Sequence, residues 1–170
     1  MIDYSRKICN GIVVFFIIFL TGCAHRGYHT STDLGSAKGA FLPPEVAQKL
    51  VWPVEGEVVH GFGSREGGVA SKGIVIRARE GELVKAAQAG RVGFIDESLR
   101  GYGKTLILEH TSDFSTVYAG NSEILVTLGQ WVPQGMSVAK VGRDETMGLP
   151  GLYFEVRRKA RAEDPLNYLK

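Results

Sequence analysis

Ser71-Lys72-Gly73-Ile74-Val75-Ile76 is a run of β-branched residues behind a polar, glycine-containing lead, and it reads as a short strand. It lies in the first third of a glycine-punctuated region covering residues 51–170. Short β-branched and aromatic runs recur through that region. No long stretch has the 3.6-residue period of an amphipathic helix. Strands are expected at residues 54–62, 73–77, 83–86, 90–96, 105–110, 115–118, 137–141 and 152–157. Many of the 22 glycines fall between these runs, where tight turns need a residue tolerant of positive φ. The spacing points to an all-β sandwich or barrel. Residues 129–135 read as a connection before a further strand.

The chain has 170 residues, of which 44% are apolar, and its formal net charge is +2. This describes one ordinary domain with appendages and enough apolar material for a core. Near-balanced charge without a basic stripe argues against nucleic-acid binding as the main function, because neutralising phosphates requires such a stripe. The densest basic cluster, Arg157-Arg158-Lys159, reads as a solvated turn.

The N-terminus reads as an address. Arg6 and Lys7 precede an apolar run over residues 8–20, interrupted only by Cys9, Asn10 and Gly11. That run is short for a membrane-spanning helix but suits the core of a signal peptide. It ends in Leu20-Thr21-Gly22-Cys23, which resembles a bacterial lipobox. Residues 1–22 are therefore expected to be removed, leaving Cys23 acylated by palmitate-type chains and holding the protein on a membrane. Each buried methylene of such a chain contributes about 0.8 kcal/mol. Cys9 leaves with the signal peptide, so the remaining chain has neither a free thiol nor a disulfide and relies on packing. Ala24 rather than Asp after Cys23 implies, by resemblance to lipoprotein sorting, the periplasmic face of the outer membrane. Residues 23–50 read as a flexible tether rich in Ser, Thr, Gly, Ala and His. His25 and His29 have i,i+4 spacing but no helical pattern around them, so they do not read as a metal pair. Residues 43–50, opening on Pro43-Pro44, suit a short helix.

Several stretches within residues 51–170 carry a resemblance in order. These are Trp52-Pro53-Val54-Glu55-Gly56, Gly61-Phe62-Gly63-Ser64-Arg65, Gly81 through Val92, Tyr102-Gly103 with His110, Phe154-Glu155-Val156-Arg157, and Asp164-Pro165-Leu166-Asn167-Tyr168-Leu169. Together they resemble the LytM, or lysostaphin-type, zinc metallopeptidases, which are cell-wall endopeptidases. The resemblance implies a two-sheet β sandwich of the duplicated hybrid-motif kind over residues 51–170. Residues 81–92 and 129–142 also resemble lipoyl-type barrel-sandwich domains, but no acidic hairpin tip surrounds Lys85.

In the family that this stretch resembles, zinc is held by an H-x-x-x-D strand and by the second His of an H-x-H strand. A further His follows a Tyr-x pair. The metal generates a nucleophilic water only when imidazole and carboxylate ligands hold it. Carried over by position, the first motif is here Ser71 and Val75, the Tyr-x-His segment is Tyr118-Ala119-Gly120, and H-x-H is Gly151-Leu152-Tyr153. Val and Gly offer no lone pair, and Ser and Tyr are poor neutral ligands for zinc. The framework glycines, the Tyr-Gly pair and the Phe-Glu-Val strand remain in place. The expectation is a non-catalytic domain without a metal or cofactor.

Degenerate family members of the bacterial envelope activate N-acetylmuramoyl-L-alanine amidases during daughter-cell separation. The resemblance thus implies an amidase activator whose vacated groove, with Ser71, Val75, Tyr118, Gly120, Gly151 and Tyr153 as its candidate lining, receives the partner. Arg65 and Arg143 are candidate rim charges. The alternative is a scaffold lipoprotein that binds peptidoglycan without an enzyme partner.

Overall fold

The computed structural model describes residues 49–170, apart from residues 67 and 146. The expected signal peptide, Cys23, the histidine pair and the tether up to residue 48 lie outside the described residues. In chain order the strands are β1 (Glu57–His60), β2 (Arg65–Glu66), β3 (Val69–Ala70), β4 (Ile74–Arg77), β5 (Leu83–Lys85), β6 (Gly90–Leu99), β7 (Gly103–Thr111), β8 (Phe114–Ile124), β9 (Trp131–Val132), β10 (Ser137–Arg143), β11 (Pro150–Arg158) and β12 (Arg161–Glu163). A 3-10 turn follows at Pro165–Asn167, capped by the Asp164 carboxylate, which accepts from Leu166 N–H. The protein is all-β, as its glycine-split β-branched runs require.

Ten strands join in one antiparallel network ordered β1-β4-β11-β10-β8-β7-β6-β9, with β12 beside β11 and β5 beside β10. β2 and β3 form a separate hairpin. The network turns on β8. One edge of β8 pairs with β7. The other edge pairs with β11 from Phe114 to Ala119, then with β10 from Asn121 to Ile124. The change of partner falls at Gly120, whose φ is +73°. A Cβ there would stand 2.8 Å from the Arg143 carbonyl oxygen, so the fork needs glycine both for its backbone angle and for its lack of bulk. Through this fork β8 joins β7, β10 and β11 in a single hydrogen-bonded network.

Side-chain alternation then sorts the residues of each strand. Phe114, Thr116 and Tyr118 of β8, Leu152, Phe154 and Val156 of β11, and Ile74 and Ile76 of β4 turn to the main core and are buried. Full burial of each large apolar side chain contributes about 1.5–3 kcal/mol. Val75, Val117 and Ala119 are also buried but stand outside that core cluster. They lie on the opposite face of the same three strands, where Val75 and Ala119 flank Tyr153 and Val117 is opposite Glu155.

The core also contains a polar relay. His110 Nδ1 lies 2.9 Å from the Ala89 carbonyl and Nε2 lies 2.8 Å from Thr116 Oγ1. Thr116 Oγ1 lies 3.0 Å from Tyr118 Oη, which accepts from Ala87 N–H at 2.9 Å. Burial lowers the His110 pKa to about 4, so the ring is neutral at physiological pH. Its single N–H goes to Ala89, and Nε2 accepts from Thr116. Burial pushes the Tyr118 phenol up to about 12.

Leu50, the last residue of the expected short helix, instead forms a parallel bridge with Leu169. Leu50 N–H donates to the Tyr168 carbonyl at 3.1 Å, and Lys170 N–H donates to the Leu50 carbonyl at 3.0 Å.

Candidate functional site: a cleft without metal ligands

β11 is the spine of the site. Leu152, Phe154 and Val156 face the core, so alternation turns Tyr153, Glu155 and Arg157 to the other face. Val75 of β4 and Ala119 of β8 stand opposite Tyr153 on either side. The Tyr153 ring lies against Gly73: a Cβ at Gly73 would come within 2.9 Å of Tyr153 Cζ and 2.4 Å of the Phe154 carbonyl oxygen. Tyr102 meets Tyr153 edge-on, with ring centroids 5.4 Å apart and planes at 73°. Above them opens a cleft of about 230 Å³, lined by residues that include Ser71, Val75, Tyr102, Asp144, Met147 and Tyr153. His60, Val69, Ala70, Lys72 and Gly101 complete the wall.

The electrostatics of this cleft keep Tyr153 neutral. Burial raises the pKa of its phenol first, the charge of Glu155 adds to the effect, and Tyr102 reinforces it. The Ser71 hydroxyl is committed locally, donating to the Gly73 carbonyl at 2.9 Å and so fixing the turn into β4.

Of the six expected lining residues, the structure brings Ser71, Val75 and Tyr153 together on the cleft. The Tyr118 ring lies in the main core, 5.3 Å from the Phe154 ring between centroids. The β8 residue that stands beside Tyr153 is Ala119. Gly120 and Gly151 are buried backbone positions packed against Arg143 and Ile76 respectively, and neither is part of the cleft wall. Arg143 turns toward Glu80, with Nε 3.4 Å from its carboxylate, and donates to the Gly148 carbonyl at 3.2 Å. Arg65 is exposed on the β2–β3 hairpin. The cluster Arg157-Arg158-Lys159 is more structured than a solvated turn: Arg157 pairs with Glu155, and Arg158 lies over the Phe114 ring at 5.1 Å.

Tyr102, Asp144 and Met147 are cleft residues that the sequence did not single out for this role. Tyr102 was visible as half of the Tyr-Gly pair. Asp144 and Met147 sit in a turn where Asp144 accepts from Met147 N–H at 2.7 Å, and no periodicity marks such a turn.

Ser71, Val75 and Tyr153, the positions expected from the resemblance to match zinc ligands, line one cleft, but their chemistry does not fit the metal. A hydrogen-bonded hydroxyl, an alkyl group and a phenol held in its neutral form do not make a zinc donor set. Among the described residues no group of three or more His, Cys, Asp or Glu stands where it could hold a metal ion.

An antiparallel β network forked at a glycine, with three convergent positions at the heart of its cleft, defines a lysostaphin-type peptidase scaffold. The chain belongs to Peptidase family M23, whose description matches residues 69–165. It is 43% identical over 126 residues to outer membrane antigenic lipoprotein B of Haemophilus influenzae, covering 73% of this chain and 30% of that one. It is 40% identical over 118 residues to the murein hydrolase activator NlpD of Escherichia coli, covering 69% of this chain and 30% of that one. Among solved structures it resembles a zinc-containing peptidase from Vibrio cholerae, with TM-score 0.61 and 29% identity over 66% of this chain and 37% of that one. The chain thus spans under a third of the length of these two curated relatives.

Proposed function

We propose that this protein is a lipid-anchored envelope factor that binds and activates a peptidoglycan amidase, and that it does not itself hydrolyse the wall. In this reading Cys23 carries the anchor, the residues between Cys23 and Leu50 tether the β domain, and the protein faces the periplasm from the outer membrane. The observation that carries the proposal is the convergence of Ser71, Val75 and Tyr153 on one cleft, with a hydroxyl, an alkyl group and a phenol in place of ligands. Zinc ligation is exchanged for a concave surface in which Val75, Tyr102, Met147 and Tyr153 stand beside Lys72 and Asp144, the kind of groove that accepts a side chain of a partner segment. Relatives named as murein hydrolase activators support the same reading.

The test is addition of the purified protein to amidases of the source organism acting on labelled sacculi. Stimulation is expected, reduced about tenfold by Ser71→Arg, which fills the cleft mouth, or by Tyr153→Ala, which removes its floor. If the wild-type protein stimulates none of the amidases, the proposal fails. The second reading, a scaffold that binds peptidoglycan without an enzyme partner, is favoured by a charged groove next to the cleft. Retention on sacculi without any amidase effect selects it.

A further inference from the structure

Residues 124–139 carry no charged side chain, although 22% of the whole sequence is charged. Such a stretch would suit a buried strand, yet part of it faces outward. Leu128 is 67% exposed and Trp131 is 51% exposed. Leu125, in the same segment, is 38% exposed.

Leu128 stands in a turn closed by Gln130 N–H, which donates to the Thr127 carbonyl at 3.1 Å. The Gln130 side-chain oxygen accepts from Thr127 N–H at 3.0 Å. Gly129 takes the positive φ of the turn, +81°. Gly129 N–H donates to the Val92 carbonyl at 2.8 Å, and Val92 N–H donates to the Gln130 carbonyl at 2.8 Å. The apolar side chains are thus presented on a braced backbone, so covering them costs little further ordering of the chain.

Where the chain enters the domain argues for what covers them. Trp131 is three residues from Gln134, so their backbones are no more than about 11 Å apart. Gln134 Nε2 donates to the Lys49 carbonyl at 3.2 Å and to the Ala87 carbonyl at 2.9 Å. Lys49 is the first described residue, and Cys23 precedes it in the sequence. The apolar turn therefore sits at the root of the segment that leads back to the anchor residue. The charge next to it is offset: Arg91 pairs across β9 with Trp131 and across β7 with Glu109. An exposed tryptophan beside an aliphatic tip, in a segment free of charge, has the composition that settles at a lipid–water interface.

We propose that the turn at residues 125–131 is a membrane-contact surface, with Leu128 and Trp131 seated in the phospholipid interface. The inference rests on the anchored reading only for which membrane is met. A second point of attachment restricts the orientations of the domain on the bilayer, and the first attachment raises the effective concentration of the turn at the lipid.

The experiment uses the chain from residue 23 onward, the form left by the proposed processing, whose one thiol is Cys23. That thiol is coupled to a maleimide headgroup on vesicles of phosphatidylethanolamine and phosphatidylglycerol. Attachment then does not depend on acylation in the cell. Tryptophan emission is compared between ordinary vesicles and vesicles with brominated acyl chains. The sequence has two tryptophans; Trp52 packs against the core, and Trp131→Phe isolates its emission. The Trp131 contribution is expected to fall at least about twofold on brominated lipid, because an interfacial side chain reaches the acyl boundary. Leu128→Glu is expected to restore most of that emission, and an unchanged melting temperature shows that this variant is folded. An unquenched Trp131 overturns the proposal and leaves the turn to a protein partner. Equal quenching in the parent and in Leu128→Glu also overturns it, since attachment alone then explains the signal. Quenching that depends on Leu128, with no acyl group found on Cys23 of the cellular protein, supports the lipid contact and removes only the anchor from the proposed function.

Discussion

At the scale of single residues, His110 makes a pH dependence that can be read directly. Its pKa falls from 6.5 in the unfolded chain to about 4 in the folded one, because burial penalises the imidazolium. The unfolded state therefore binds the proton first. Stability from this group is fully present above pH 6.5, is lost as pH falls toward 4, and totals about 3 kcal/mol. Glu155 works with the opposite sign, since its pKa is raised by burial. The expected outcome is a melting temperature that drops between pH 6.5 and pH 4, with a visibly flatter profile for His110→Gln; identical slopes would remove His110 as the cause. Gly120 gives a second prediction. Its φ of +73° and the 2.8 Å approach to the Arg143 carbonyl make Gly120→Ala destabilising by about 2 kcal/mol or more, measured by urea denaturation. A variant as stable as the parent would mean that the fork in β8 tolerates an ordinary residue.

At the scale of elements, what was legible came from local pattern, and what was hidden came from pairing. β4, β5, β7, β10 and β11 fall within about two residues of the runs expected for them, because their β-branched alternation is strong. β8 extends far beyond residues 115–118. A glycine ended the expected strand at Tyr118, yet Gly120 is where the strand exchanges partners and continues. Trp131–Val132 read as a connection, but it pairs with Gly90 and Arg91 at the edge of β6. Such a two-residue strand exists only through its neighbour. The candidate site followed the same rule. Ser71 and Val75 were legible as family positions, whereas Tyr118 occupies the core because β8 turns its even-numbered residues inward. A backbone that brings positions 71, 75 and 153 together makes a further prediction. The triple variant Ser71→His, Val75→Asp, Tyr153→His is expected to bind about one zinc per chain at micromolar affinity, measured by metal analysis after dialysis. Failure of a folded variant to take up zinc would show that the cleft's geometry, and not only its donor set, has departed from a metal site.

At the scale of the whole molecule, the described domain is held together by non-covalent contacts without a disulfide; its sequence from residue 49 onward contains no cysteine. Leu50 is 0% exposed and Leu169 is 8% exposed, and the bridge between them joins segments well over 100 residues apart in sequence. Leu169→Ala is expected to cost about 2–3 kcal/mol, seen as a lower urea midpoint with an unchanged slope. A cost near zero would mean that the bridge is ornamental.

That bridge also decides how mechanical tension would enter the domain. A pull on the chain upstream of Leu50 meets the bonds from Leu50 to Tyr168, from Lys170 to Leu50 and from Val51 to Ala87 within two residues. These contacts share the load with the buried leucine, so a force applied there enters the domain through the segment that closes its C-terminal end.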